Sequence, residues 1–197
     1  MRLSLMILVT VVLIGLHLAV CWAVLHPKVT REYKAYYIDR TSRDWRVTKY
    51  HSTPEDGIDL TKPGWPEFVA YSFGLARDAS VGAWTDTRLG LKAGFEFNQP
   101  FAGQVCVLLN AIPSSSMTNR RVPLVFGDQQ QEIAFGADQS VRLYAIHFEL
   151  PHPATRLQLL FPKPLPRMGH TDARQLGVGL ARIRLLPQPC SGVSDLR

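Results

Sequence analysis

Hydrophobic and polar positions divide the chain into two unequal parts. Residues Leu3–Leu25 carry no charged side chain, and nearly every position is apolar. A helix rises about 1.5 Å per residue, so this stretch would reach about 34 Å, more than the hydrocarbon core of about 30 Å. Pro27 cannot continue a helix. The pattern predicts one N-terminal transmembrane anchor over residues 1–26, followed by a part too polar to lie in lipid.

From Gly57 onward the apolar positions follow the period of β-strands. In the run Leu89–Phe97 every second residue is apolar, which indicates a strand with one buried face. The run Val105–Ala111 is apolar on both faces and suits a central strand. Within Leu176–Leu186 the apolar positions change parity near residues 181–182, which predicts a β-bulge. Further strands are predicted at Phe68–Phe73, Gly82–Trp84, Val122–Phe126, Gln131–Phe135, Val141–Leu150 and Arg156–Phe161.

Eight or nine short strands, separated by Gly, Pro, Asn and Asp, predict an all-β fold. We expect antiparallel sheets packed as a jelly-roll-like β-sandwich over residues 57–187. Residues 27–56 then form a basic and aromatic juxtamembrane connector, with one short strand at Trp45–Tyr50, and residues 188–197 form a C-terminal tail. About 170 residues outside the anchor suit a single domain with a sizeable core.

Two other roles for the apolar segment compete with that of an anchor. A secretory signal peptide has a shorter apolar core and ends in small residues at its cleavage site, whereas this segment runs on to Cys21-Trp22-Ala23. A lipoprotein signal would use residues 18–21, where Val20 is bulky at a position that takes a small residue. An uncleaved signal-anchor fits the segment better than either.

The net charge of +6 is concentrated beside the anchor. Residues 1–56 have eight Lys/Arg and five Asp/Glu, half of the total excess in less than a third of the chain. Anionic lipid head groups attract such cations, and aromatic side chains favour the membrane interface. An ordinary solvated linker explains the same composition, and nucleic acid is a poorer partner because acidic residues interrupt the basic positions. The membrane-interface candidates are Lys28, Arg31, Tyr33, Lys34, Tyr36 and Tyr37.

Two rules disagree on the side of the membrane where the domain lies. The flank after the anchor is more basic than Arg2 before it, which favours a cytoplasmic domain. Long domains, however, cross membranes largely regardless of charge, and a very short N-terminal tail usually stays inside. We therefore expect an extracytoplasmic domain, against the flanking charges.

The cysteines leave the compartment open. A bridge between Cys106 and Cys190 would need an oxidising environment, but two cysteines 84 positions apart more often remain free. The third, Cys21, lies within the apolar segment. No Cys-x-x-Cys pair occurs, so zinc is unsupported, and we expect no metal and no cofactor.

Three stretches resemble a known bacterial module. They are residues 74–86, which end in Trp-Thr-Asp, the strand Leu89–Phe97, and residues 172–183, with the pattern Asp-x-Arg-x-Leu-Gly-hydrophobic-Gly-hydrophobic. Together they are similar to a β-sandwich accessory module of uncharacterised function that is attached to bacterial membrane phosphoglycerol transferases and envelope glycosyltransferases. The likeness spans about residues 57–187.

The resemblance implies a single-pass protein of the bacterial inner membrane with a periplasmic domain and an accessory role in handling envelope glycans. Its partners would be membrane lipid, envelope glycan and a membrane transferase or another multi-pass protein. No catalytic membrane domain precedes the module in this sequence, so we expect no transferase activity.

Four residues of the shared motifs form the candidate ligand site: Trp84, Asp86, Asp172 and Arg174. Trp84 could stack on a sugar ring while the charged groups bond its hydroxyls. We also expect Asp86 and Arg174 to form a charge-assisted pair that joins the first and last parts of the sheet. The alternative is architectural: Trp84 fills the core, and the charged pair pins loop to strand. Trp65 and Tyr71 are weaker aromatic candidates with the same alternative.

Catalysis finds little support in the sequence. It has no Gly-x-Ser-x-Gly, no Gly-rich phosphate loop and no His-Glu-x-x-His. Asp86 and Asp172 are the remaining carboxylate pair for a small hydrolase, a remote alternative. We expect a non-catalytic accessory protein that binds or presents envelope glycan or assists a transferase. A structural subunit that docks to a multi-pass membrane partner without touching carbohydrate is the competing hypothesis.

Overall fold

The computed structural model describes residues 2–26, 28–44, 46, 48–167 and 172–190. The chain divides into two compact units, Met1–Thr30 and Arg31–Arg197.

The first unit is the apolar helix that the sequence predicts, α1 (Arg2–Leu25). Its stretch Met6–Leu25 is long and apolar enough to cross a membrane. Large apolar side chains along it, such as Val12 and Leu16, are exposed. The helix therefore presents to its surroundings the surface that a lipid-facing helix needs.

The second unit is built mostly of antiparallel strands, which confirms the predicted all-β class. It opens with a short helix, α2 (Arg31–Tyr33), and a π-helical turn, Lys34–Ile38. The strands are, in chain order, β1 (Lys49–Tyr50), β2 (Ile58–Asp59), β3 (Trp65–Pro66), β4 (Val69–Phe73), β5 (Leu75–Asp78), β6 (Gly82–Asp86), β7 (Lys92–Pro113), β8 (Arg121–Phe126), β9 (Gln129–Ala134), β10 (Arg142–Leu160) and β11 (Leu176–Leu186).

Two long strands, β7 and β10, organise the sandwich. They pair antiparallel over almost their whole length, from Arg142 opposite Ala111 to Leu160 opposite Lys92. Each contributes one half to each layer. The first layer joins β4, β8 and β9 to the N-terminal half of β7 and the C-terminal half of β10. The second joins β5, β6 and β11 to the other two halves.

Side chains from both layers fill the space between them. Phe126 of the first layer meets Phe148 of the second, with ring centroids 5.8 Å apart. Trp65 is fully buried and packs edge-on against Phe95, also at 5.8 Å. Interdigitation of two apolar faces is the core that alternating strands predict.

Strand centres follow the predictions, whereas several strand starts differ by one to three residues, that of β7 the most. The run Val105–Ala111 lies in a central strand, between β11 and β10. The parity change in β11 is a register shift between Leu180 and Arg182, which confirms the predicted bulge. By contrast, β7 begins only at Lys92, so Leu91 is 39% exposed and is not a core residue.

The predicted strands Val141–Leu150 and Arg156–Phe161 form one continuous strand, β10. Pro151 and Pro153 lie between the two runs, and proline cannot donate to a strand ladder. In this region the pairing of β10 with β7 shifts register. The missing donors thus fall at an irregular part of the ladder, and the chain stays extended through it.

Residues 31–56, expected as a connector, lie in the same compact unit as the sandwich. Arg43 forms a parallel bridge with Ala76 of β5, where its N–H donates to the Leu75 carbonyl at 2.8 Å. Further along, β1 pairs parallel with β3. Trp45 lies outside the described residues, and the strand that the structure describes in this region is β1.

A disulfide bond joins Cys106 to Cys190, the pairing that the sequence left open and did not favour. The pairing of β11 with β7 sets Leu186 opposite Cys106, which brings the residues after β11 beside that cysteine. Separation along the chain is therefore a poor guide, because the strand pairing decides which cysteines are neighbours.

Candidate functional site

The pairing of β6 with β11 brings the predicted site residues together. Asp86 lies opposite Leu176, and Trp84 lies opposite Gly179. The segment that leads into β11 passes beside Asp86, since the Gln175 N–H donates to its Oδ1 at 3.3 Å. Residues almost ninety positions apart thereby form one cluster.

Asp86 is a buried carboxylate held by donors from two segments. Its side chain has no exposed surface, and the Arg88 guanidinium donates through Nε and Nη2 to Oδ2. The backbone N–H groups of Arg88 and Gln175 donate to Oδ1, at 3.1 and 3.3 Å. Burial alone would raise the pKa of Asp86, but these donors outweigh it and lower the pKa below its ordinary value.

Arg174 pairs with Asp172 instead of Asp86, so the predicted Asp86–Arg174 pair is wrong. Its Nε and Nη2 lie 2.9 and 2.8 Å from Asp172 Oδ2, and its Nη1 lies 3.6 Å from Asp78 Oδ2. Hydrogen bonds from Arg174 lower the pKa of Asp172 to about 2. Asp86 and Asp172 are therefore paired with different arginines, Arg88 and Arg174.

One short pattern accounts for these pairs. Asp86-x-Arg88 and Asp172-x-Arg174 each place a guanidinium on the carboxylate two residues earlier, and Asp44-x-Arg46 does the same. Such a partner closes a far shorter loop than one on another strand, so less chain entropy is lost. The recurrence of Asp-x-Arg is the sequence signal from which the pairs could have been predicted.

Trp84 rests over a glycine of the closing motif. A side chain at Gly179 would meet the Trp84 Cε2 atom at 3.2 Å and the Ile112 Cγ2 atom at 2.7 Å. The glycine thus leaves the room that these side chains occupy. Trp84 is half-buried, so packing takes up part of the indole and the rest of it faces solvent.

A groove of about 780 Å³ opens where this cluster meets residues 36–43. We call it the basic groove. Its arginines are Arg40, Arg43, Arg77, Arg88 and Arg174, and its aromatic side chains are Tyr36 and Tyr37. Of the four predicted site residues, Arg174 is the one found among the described residues that line it. Arg40 and Arg43 are among the eight basic residues of positions 1–56 for which the sequence predicted only a general attraction to lipid, and Arg88 was not predicted as a site residue.

A second pocket, of about 590 Å³, shares Leu89 with the basic groove. Cationic and apolar side chains line it, among them Arg31, Lys34, Tyr71, Phe73, Leu91 and Arg156. Arg156 donates to Glu96 Oε2 at 2.7 Å and to the Tyr71 hydroxyl at 3.3 Å. The Tyr71 candidate therefore lies in this pocket, whereas Trp65 is fully buried and has no surface for a ligand.

The predicted membrane-interface residues separate into three groups. Arg31 and Lys34 line the second pocket, and Tyr36 and Tyr37 line the basic groove. Lys28 and Tyr33 are exposed.

The carboxylates of the cluster are poorly suited to proton transfer. Asp86 and Asp172 both have a lowered pKa, so both are ionised at neutral pH and neither suits the general acid of glycoside hydrolysis. Among the described residues, no group of three His, Cys, Asp or Glu is placed to hold a metal ion. The basic groove offers guanidinium donors and aromatic faces, and such groups bind a ligand without transferring a proton to it.

Fold and site together define a β-sandwich module that follows an apolar helix long enough to cross a membrane. Residues 45–187 match the family described as a domain of unknown function, DUF7024, and the chain belongs to this family. The match begins within the segment expected as a connector, in keeping with the packing of that segment in the compact unit.

The chain is also similar to part of phosphoglycerol transferase I. Over 136 residues it is 26% identical to that protein of Escherichia fergusonii, 27% to that of Citrobacter koseri and 28% to that of Salmonella paratyphi B. Each match covers 66% of this chain and 17% of the transferase. The chain thus spans about a sixth of the length of these relatives. The resemblance to a module found in phosphoglycerol transferases is confirmed.

Proposed function

We propose that this protein is a non-catalytic accessory module, anchored in the bacterial inner membrane, that binds an envelope glycan on the periplasmic side for a membrane transferase. The observation that carries the proposal is the basic groove, an open site of about 780 Å³ lined by two tyrosines and five arginines. Such a site combines the aromatic surface and the hydrogen-bond donors that carbohydrate recognition needs.

Aromatic surface and fixed donors lie in the same groove. The rings of Tyr36 and Tyr37 are in edge contact, with centroids 4.8 Å apart, and offer apolar surface to the C–H face of a sugar. Arg88 and Arg174 are held by Asp86 and Asp172. Their remaining N–H groups are thereby positioned in advance for sugar hydroxyls. In this proposal Arg174 contacts ligand, Asp86 and Asp172 position the arginines, and Trp84 supports the strand pair.

The disulfide bond and the apolar helix support the proposed location. A bond between Cys106 and Cys190 persists in an oxidising compartment such as the bacterial periplasm. The stretch Met6–Leu25 would hold the module at the inner membrane. The similarity to phosphoglycerol transferases supports a glycan-modifying context.

Binding of glycan to the full chain tests the proposal. The protein would be placed in phosphatidylcholine nanodiscs and titrated calorimetrically with size-fractionated envelope oligosaccharides. We expect Arg174→Gln and Tyr37→Ala each to weaken binding about tenfold, the loss of one good contact of about 1.4 kcal/mol. The matched control is Arg142→Gln, which removes an exposed arginine that pairs with Asp138 outside the groove.

Absence of binding by any fraction to folded protein would overturn the proposal. It would favour the competing role, a subunit that docks to a multi-pass membrane partner without carbohydrate contact.

A further inference from the structure

The arginines of the basic groove fall into two kinds. Arg88 and Arg174 are each held by a carboxylate, at Asp86 and Asp172. Arg40, Arg43 and Arg77 form no ion pair with any carboxylate in the described part of the chain. No Asp or Glu is among the described residues that line the groove. The described residues therefore leave the groove with a positive charge that their carboxylates do not compensate.

The fold brings these three arginines together from two segments, residues 40–43 and β5. Arg43 is fixed beside β5 by its parallel bridge to Ala76, whose neighbour along the strand is Arg77. Arg40 lies at the turn after the π-helical segment, with a left-handed φ of 53° that is uncommon for a residue other than glycine. That turn is closed by the Thr41 N–H, which donates to the Ala35 carbonyl at 2.8 Å.

Like charges gathered around one cavity repel each other, and an anion removes that repulsion. Guanidinium groups suit anions with paired oxygens, because their planar fork donates two parallel hydrogen bonds to a phosphate or a carboxylate. A neutral sugar would leave the three charges unmatched. Three separate arginines also exceed what a single small anion needs, so the matching ligand carries several charges.

We propose that the ligand of the basic groove is a polyanionic glycan, one whose sugars carry phosphate or carboxylate groups bound by Arg40, Arg43 and Arg77. This inference rests on the proposed function and adds the chemical class of the glycan. The paired arginines, Arg88 and Arg174, then serve the neutral part of the same molecule.

The test compares one oligosaccharide in two forms with the full chain in phosphatidylcholine nanodiscs. A neutral oligosaccharide and the same oligosaccharide bearing phosphate groups would be titrated at low and high salt, with inorganic pyrophosphate as a sugar-free probe. We expect the phosphorylated form to bind at least tenfold more tightly, and this advantage to shrink as salt screens the charges.

Substitutions locate the charge effect. Arg40→Gln, Arg43→Gln and Arg77→Gln should each weaken binding of the phosphorylated form about tenfold and weaken binding of the neutral form much less. Arg77→Lys keeps the charge without the planar fork and should lose less. Arg121→Gln, at an exposed pair with Glu132, is the matched control and should change neither. All four arginine positions are exposed, and circular dichroism would verify that each of the five variants is folded.

Three outcomes would contradict the polyanion inference, the proposed glycan binding, or both. Equal affinity for both oligosaccharides, unaffected by salt, would overturn the polyanion inference and leave glycan binding in place. Phosphorylated oligosaccharide that binds no better than pyrophosphate would overturn glycan binding itself. Binding to nanodiscs of anionic lipid through the same arginines, with no affinity for either oligosaccharide, would overturn both and assign the groove to the membrane surface.

Discussion

The buried pair Asp44–Arg46 tests whether residues 31–56 are part of the fold. Both side chains are 0% exposed. Arg46 donates to both Asp44 oxygens, at 2.8 and 2.9 Å, and to three carbonyl groups of the loop 60–64. Its guanidinium stacks over Trp65, 4.2 Å from the ring centroid. One side chain thus ties this segment to a loop and to the core.

The perturbation is Asp44→Ala, which leaves the Arg46 guanidinium buried without its counter-ion. Breaking a buried, hydrogen-bonded ion pair by removing one partner destabilises a protein by about 3–5 kcal/mol. In a unit of this size each kcal/mol shifts the melting temperature by about 2–4 °C. We therefore expect the melting temperature of the sandwich to fall by about 10 °C.

The assay is thermal and urea unfolding of the full chain in detergent, followed by circular dichroism. The control is Glu132→Ala, which breaks an exposed pair with Arg121. That change should lower the free energy of unfolding by less than about 1 kcal/mol, because water screens the attraction between exposed charges. Arg46→Lys keeps the charge but loses the planar guanidinium group, so its loss of stability should lie between those of Asp44→Ala and Glu132→Ala.

A result for Asp44→Ala as small as that for Glu132→Ala would refute the reasoning. Residues 31–56 would then be a connector outside the fold, as the sequence pattern alone indicated. The buried hydrogen bonds of Arg46 would not contribute to stability.

Two further predictions concern the disulfide bond and the buried carboxylate. Cys190→Ala should lower the free energy of unfolding by about 4 kcal/mol, because the bond closes a loop between residues 84 positions apart. A reducing agent should lower the melting temperature of the wild type and leave that of the variant unchanged. Equal melting temperatures of the oxidised wild type and the variant would contradict this. Asp86 has a lowered pKa, so its stabilisation is present above the unfolded-state pKa of about 4 and is lost as pH falls through the lower folded value. In urea unfolding, Asp86→Asn should lower the free energy of unfolding by about 2 kcal/mol at pH 7 and by progressively less below pH 4. A loss that did not change with pH would exclude the carboxylate charge as its cause.

The order of apolar and polar residues along the chain was enough to predict the elements that depend only on neighbouring residues. The uncharged run Leu3–Leu25 can satisfy its backbone in lipid only as a helix, and α1 begins and ends within a residue of it. The two-faced apolar run Val105–Ala111 had to be a central strand, because each of its faces needs cover. The parity change in β11 fixed the bulge, because side chains of a strand alternate strictly between its two faces.

Tertiary structure alone decided the partners that lie far apart in the chain. The expected Asp86–Arg174 pair was wrong for a local reason, because Asp86 and Asp172 each bind the arginine two residues further along the chain. The disulfide depends on Leu186 lying opposite Cys106, and hydrophobic period carries no information on strand register between distant segments. The basic groove arises in the same way. Its arginines come from the turn before β1, from β5 and from two loops, so their common site exists only once the strands have paired.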